Sequence, residues 1–175
     1  MLTIALPKGR IAEETLDKFE KAFGEKFVFE DRKLILKKSG FTFLNVRNQD
    51  VPTYVMHGAA DLGVVGLDVL EEKEYDLIKL LDLQLGKCKV AFGLRAGEKL
   101  NFDKSKITIA TKHEKIAKKF FEQKAMAVEI IKLYGSIELA PLVGLCDCIV
   151  DIVETGETMK QNGLEVGPTI MESSA

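Results

Sequence analysis

Apolar and polar positions alternate between two periods along this chain. Residues 2–6 form an apolar-rich run around Thr3, the pattern of a buried strand. Ile11, Ala12, Thr15, Leu16, Phe19, Ala22 and Phe23 then recur at helical spacing. Glu13, Glu14, Asp17, Lys18 and Lys21 occupy the other side, and Gly24 ends the helix. Short strands are predicted over 27–29, 33–36 and 41–46. Asp50 is positioned to cap a helix over 51–57, with Pro52 tolerated in its first turn. A glycine-marked strand and turn follow at 61–66, then a helix over 67–73. Strands are expected at 76–83, 87–94, 107–110, 128–133 and 149–153, and a last segment follows at 164–171. Helices are expected at 114–123 and 137–145, with a short one opening near Thr158.

Strands alternating with helices from end to end predict an α/β protein with largely parallel sheets. The polar stretch 95–106 marks a boundary between two lobes. The first lobe is expected over residues 1–90, completed by the returning segment 166–175, and the second over 91–165.

Composition narrows the class. The 175 residues are 46% hydrophobic and 30% charged, the balance of a globular protein with a real core. A formal net charge of −2 excludes the signature of a general nucleic-acid binder. No apolar run is long enough for a membrane-spanning helix. The first residues lack a charged n-region followed by an apolar h-region, so the expected location is the cytoplasm. Cys88, Cys146 and Cys148 are an odd set without a disulfide framework, and they read as small reduced core residues. Cys146 and Cys148 are spaced C-x-C, but two histidines far away in sequence do not complete a metal site.

Several turns sit where a strand feeds a helix, the edge at which open α/β sheets bind ligands. After the strand at 149–153 come Glu154, Thr155, Gly156, Glu157 and Thr158. Gly156 permits a close backbone approach, and Thr155 and Thr158 offer hydroxyl donors to phosphate oxygens. Asp151 or Glu154 can accept hydrogen bonds from ribose hydroxyls. An ordinary helix start remains open, since Thr158-Met159-Lys160-Gln161 matches a capping box. Gly163 would end that helix almost at once. Lys8, Gly9 and Arg10 form a second loop with no Ser, Thr, Asp or Asn to cap the following helix, so an anion could satisfy its N–H groups. Gly135, Ser136 and Glu138 mark a third anion turn, or a plain turn with Ser136 as N-cap. Arg32 precedes one strand and Arg47 follows another; spacing alone reads both as surface charges.

Four blocks, in order, resemble the ATP phosphoribosyltransferase family: "ALPKGRIAEET", "RNQDVPTYVMHGAADLGVVGLDVL", "KLYGSIELAPLVGLCDCIVDIVETGETMKQNGL" and "IMESSA". The length resembles the family's short form, while the chain stops at Ser173-Ser174-Ala175 where the family continues through another strand and a terminal helix. The resemblance implies a two-lobed fold like type II periplasmic binding proteins, with a substrate cleft between lobes. It implies attack of N1 of ATP on C1 of phosphoribosyl pyrophosphate, with Mg²⁺ on the substrate phosphates and no protein metal site. It implies that the loop at Glu154–Thr158 holds the donor's 5-phosphate while nearby carboxylates, Asp151 among them, face the ribose. Lys8, Gly9 and Arg10 are implied at the reacting centre and phosphates, and Arg32 near the leaving pyrophosphate. Arg47, Asp61 and Gly63 are further implied cleft residues. The resemblance also implies a homodimer within a hetero-oligomer that includes a regulatory subunit similar to histidyl-tRNA synthetase. Rival readings are a non-catalytic cytosolic nucleotide- or solute-binding module on the same scaffold, and a nucleobase phosphoribosyltransferase that shares the donor but not the other blocks.

Overall fold

The apolar run at the N-terminus is a strand, β1 (Leu2–Pro7), and the amphipathic stretch after it is a helix, α1 (Arg10–Phe23). The computed structural model describes all 175 residues, in two units: residues 1–86 with 174–175, and residues 87–173.

In the first unit, β2 (Ile35–Lys38), β3 (Phe41–Val46) and β4 (Leu62–Gly63) join β1 in a sheet ordered β2-β3-β1-β4. β1 runs parallel to both β3 and β4, whereas β2 is antiparallel to β3. The tight turn at Ser39-Gly40 enforces that reversal, because parallel neighbours need a longer crossover. α1 buries Ala12 and Leu16 against Ile4, Leu6 and Phe43 on one face. Phe19 and Phe43 meet edge-on there at 5.0 Å, and Phe27 and Phe41 complete the aromatic cluster. Each such pair contributes about 0.5–1.5 kcal/mol beyond its buried area. On the other face Ala5 packs with Val51 and Ala60, bringing in α2 (Val51–Met56). α3 (Leu67–Lys73) follows β4.

The second unit contains β5 (Cys88–Arg95), β6 (Ile107–Thr111), α4 (Glu114–Gln123), β7 (Val128–Lys132), α5 (Leu139–Leu142), β8 (Cys148–Val153), α6 (Glu157–Gln161) and β9 (Leu164–Ser173). Its sheet is ordered β7-β6-β8-β5-β9. The β7-β6-β8 half is parallel and the β8-β5-β9 half antiparallel. Phe92, Ile109, Phe121 and Val150 fill one face; Ala91, Ile149, Met159 and Leu164 fill the other.

The structure departs from the sequence reading at several points. The first sheet is parallel in two of its three pairings, as expected, whereas the second is half antiparallel. Residues 27–29 form no strand: Phe27 is buried by the aromatic cluster, not by a ladder. Residues 76–83 form none either, and Ile78, Leu80 and Leu81 stay 86%, 71% and 77% exposed. The 137–145 helix contracts to a single turn, α5. The lobe boundary placed at residue 90 would cut β5, so the division falls at Gly86 instead. The segment 166–173 pairs with β5 inside the second unit, and only Ser174 and Ala175 return. They are tied by Leu67 N–H donating to Ser174 C=O at 3.0 Å and Ala175 N–H donating to Leu85 C=O at 2.9 Å.

Candidate functional site

The topology of the first unit gathers its predicted cations at one sheet edge. Lys8 leaves the carboxyl end of β1, and Arg47 leaves that of its parallel neighbour β3. β2 runs the opposite way, so Arg32 and Lys33, which precede it, arrive at the same edge; Asn45 N–H donates to Leu34 C=O at 2.9 Å. Lys8 N–H is held by Val46 C=O at 2.8 Å, which fixes the loop's take-off. Gly9 caps α1 with φ 102° and ψ −155°, and no side chain bonds to the cap. That conformation is open to glycine at little cost, and the Gly9 C=O accepts the Ala12 N–H at 3.0 Å and the Glu13 N–H at 3.3 Å. Arg10 is half-exposed, with Nε 3.5 Å from Glu14 Oε1 one turn along the helix. Arg32 itself holds φ 57°, an uncommon conformation for a side-chain-bearing residue.

Asp61 does not join this edge. Its Oδ2 accepts the Thr3 N–H at 2.7 Å, and its own N–H donates to Thr3 C=O at 2.8 Å. Thr3 stands at the start of β1, five residues from Lys8, or roughly 16 Å along a strand. Asp61 therefore braces the amino end of the sheet. Gly63 pairs with Ala5 in mid-strand, and a Cβ there would stand 2.7 Å from Val51 Cγ1, so its smallness serves packing.

In the second unit the carboxyl ends of three adjacent parallel strands, β7, β6 and β8, emerge together. Gly135, Ser136 and Glu138 follow β7; Ser136 has φ 49° and its C=O accepts the Leu139 N–H at 3.2 Å. Ser136 is thus a turn residue and not the N-cap of α5. Glu154, Thr155 and Gly156 follow β8 and lead into α6. Gly156 is the N-cap, left-handed at φ 83°, without a side-chain bond to the cap. The capping box read at Thr158 does not form; Thr158 lies inside α6. Thr155 Oγ1 instead accepts the Glu157 N–H at 3.3 Å, and Thr155, Glu157 and Thr158 are all exposed.

Two residues that pattern reading passed over lie between these turns. Lys112 follows β6 and places Nζ 3.0 Å from Asp151 Oδ1. His113, buried, sets Nε2 3.8 Å from the same oxygen. Thr111 locks the turn, its hydroxyl donating to Val150 C=O at 2.6 Å while accepting the His113 N–H at 2.9 Å. Ile152 N–H adds a bond to Asp151 Oδ1 at 2.8 Å. The signal that would have revealed Lys112 is strand adjacency, which a linear pattern does not carry.

The cysteines take no part. Burial pushes the Cys146 thiol up and the Cys148 thiol up to about 12, so both stay protonated and inert. No group of three or more His, Cys, Asp or Glu side chains is arranged to hold a metal ion. A concavity of about 360 Å³ lined by Leu70, Glu71, Tyr75 and Lys79 lies in the first unit, apart from all of these loops.

The chain as a whole is similar to known proteins. The family model HisG, described as ATP phosphoribosyltransferase, matches residues 47–175. A protein of Wolinella succinogenes named ATP phosphoribosyltransferase is 69% identical over the whole chain, which spans 85% of that relative. Among solved structures, the "ATP phosphoribosyl transferase (HisG:HisZ) complex from Thermotoga maritima" is 38% identical with a TM-score of 0.83, covering 99% of this chain and 85% of that one. The GluR0 ligand-binding core of Nostoc punctiforme is 13% identical with a TM-score of 0.60, covering 99% of this chain and 82% of that one. That likeness is one of fold alone, and it belongs to the type II periplasmic-binding-protein class.

Proposed function

The chain belongs to the ATP phosphoribosyltransferase family, and from that premise we propose how its loops divide the work of the reaction. The activity is transfer of phosphoribosyl from phosphoribosyl pyrophosphate to N1 of ATP, with release of pyrophosphate, the first step of histidine biosynthesis. The observation that carries the loop assignment is the pair of sheet edges just described, one cationic and one built from hydroxyls, carboxylates and glycine turns.

Thr155, Thr158 and the backbone around Gly156 and Glu157 hold the donor's 5-phosphate. Asp151 and Glu154 accept from its ribose hydroxyls, and the Gly135-Ser136-Glu138 turn lies beside them as a further polar contact. Lys8, Gly9, Arg10, Arg32 and Arg47 serve the pyrophosphate and the other phosphates. Displacement at the anomeric carbon builds oxocarbenium character while a polyanion departs. Fixed cations aimed at that polyanion contribute most in the transition state. Arginine suits the task because it stays charged and grips oxyanions bidentately. The nucleophile is a ring nitrogen with its own lone pair, so no general base is assigned. Asp61 and Gly63 are assigned to the scaffold.

Magnesium enters this scheme as part of the substrate, carried on the pyrophosphate oxygens. Mg²⁺ binds through substrate phosphates, retained waters and one or two carboxylates rather than through an all-protein cage. Glu154, exposed beside the phosphate loop, is the carboxylate that fits that mode, since Asp151 is engaged by Lys112. The assembly proposed is a homodimer joined by a regulatory subunit, supported by the named two-component complex of the Thermotoga maritima neighbour. The cytoplasm is the proposed location; no helix is long and apolar enough to cross a membrane.

A solute-binding reading rests on fold likeness alone. Pyrophosphate release from phosphoribosyl pyrophosphate separates the readings. Release is expected with ATP and not with free purine bases. Tight binding of either substrate without release would favour the binding module, and release with a free base would favour a nucleobase transferase.

A further inference from the structure

Asp151 is held unevenly. Lys112 Nζ at 3.0 Å and the Ile152 N–H at 2.8 Å both address Oδ1, and His113 Nε2 stands beyond hydrogen-bond range of that same atom at 3.8 Å. No protein group addresses Oδ2. The asymmetry is built by rigid parts. β6 and β8 pair in parallel, with Thr111 beside Val150, so the residue after β6 lies next to the residue after Val150. The Thr111 hydroxyl clamps the turn from both sides, and His113 next to it is buried. Lys112 is therefore a lysine on a fixed stem, with a side chain 35% exposed, against a carboxylate only 14% exposed.

We propose that Lys112 is a positioning residue for the phosphoribosyl donor, holding Asp151 by Oδ1 so that Oδ2 is presented to the ribose hydroxyls. The proposal rests on the reading of Asp151 as a ribose acceptor. Two physical tasks coincide in this one ammonium. It fixes a short side chain that would otherwise spend binding energy on ordering itself. It also offsets a negative charge three to four residues from a loop that takes a phosphate dianion; an uncompensated carboxylate there would repel the ligand it helps to bind. Arginine at this position retains charge and reach, while methionine retains the stem alone.

The test is titration calorimetry of the full chain with phosphoribosyl pyrophosphate and Mg²⁺, and separately with ATP. Lys112→Met is expected to weaken the donor about tenfold, the low end for loss of one charge-assisted contact, and to leave ATP unchanged. Lys112→Arg is expected to restore most of the loss. In an Asp151→Asn background, Lys112→Met is expected to add nothing, because its route runs through the carboxylate. A Lys112→Met loss that persists in that background means direct contact with the donor and overturns the proposal. Equal weakening of both substrates with a lowered melting temperature reduces the pair to a structural brace and overturns it too. If Asp151→Asn weakens the donor but Lys112→Met in the native background does not, positioning fails while the ribose reading stands. If Asp151→Asn leaves donor affinity intact, the ribose reading fails and this inference falls with it.

Discussion

Thr158 is exposed in the first turn of α6 and its hydroxyl has no donor role in the fold, whereas Thr155 Oγ1 already accepts the Glu157 N–H at 3.3 Å. Valine keeps the shape of either side chain and removes the hydroxyl. Thr158→Val is therefore the cleaner probe of the phosphate loop. It is expected to weaken phosphoribosyl pyrophosphate by about one to two decades, the worth of a hydrogen bond to a charged oxygen, with ATP little changed. Equal loss for both substrates would mean a misfolded unit and count against the assignment. At this scale the sequence carried a good deal. The turn after the apolar strand β8 was legible, since Gly156 takes the left-handed conformation its residue type permits. Asp61 is read less easily: an acid before Leu62-Gly63 looks like a ligand turn, and one of its oxygens, Oδ2, accepts the Thr3 N–H. Lys112 shows the converse, a plain lysine whose task depends on a strand 39 residues distant through the Thr111–Val150 pairing.

An element forms when its backbone finds partners, and apolar content alone does not supply them. Residues 76–83 have the composition of a strand, but no ladder pairs them and Ile78 remains 86% exposed. Phe27 is buried to 3% exposure without belonging to a strand, because four phenylalanines offer it edge contacts instead. The helices α1 and α4, with clear apolar stripes, agreed with their pattern nearly to the residue. β8 and β6 are stitched at their entry by Asp147, whose Oδ2 accepts the Thr108 N–H at 2.8 Å and whose Oδ1 is paired with Lys104. The Lys104 ammonium, then the Thr108 N–H, hold this carboxyl below its ordinary range. A depressed folded-state pKa adds stability that is present above the unfolded value and lost as pH falls through the folded one. Asp147→Asn is thus expected to destabilise the protein at neutral pH, and the gap to the native chain is expected to close under acid. Urea unfolding at a series of pH values from 7 down to about 3 reads it. A gap that does not change with pH would assign the loss to shape rather than charge.

At the scale of the whole molecule, alternating strands and helices gave the α/β class and the presence of two units, but not their sheets. The antiparallel β5 and β9 are apolar strands like the others, and direction leaves no mark on such a run. Nor did pattern locate the crossing at Gly86, since the polar stretch 95–106 that suggested a boundary lies within the second unit, after β5. The organisation bears on control. A pathway's first step calls for feedback by its end product, and histidine needs a site whose occupancy differs between active and inactive states. Within residues 1–175 the polar turns at both sheet edges are assigned to ATP and the phosphoribosyl donor. The Thermotoga maritima neighbour is named as a two-component complex, and the regulatory subunit proposed above would bring a histidine site of its own. The purified chain is accordingly expected to be indifferent to histidine and to become sensitive once such a subunit is added. The coupling across their interface should be about 1–3 kcal/mol, a shift of roughly 5- to 150-fold in affinity. Histidine titrated against pyrophosphate release, with and without the partner, measures it. Strong inhibition of the chain alone would place a histidine site within these 175 residues and end the two-subunit account of control, while leaving the transfer chemistry untouched.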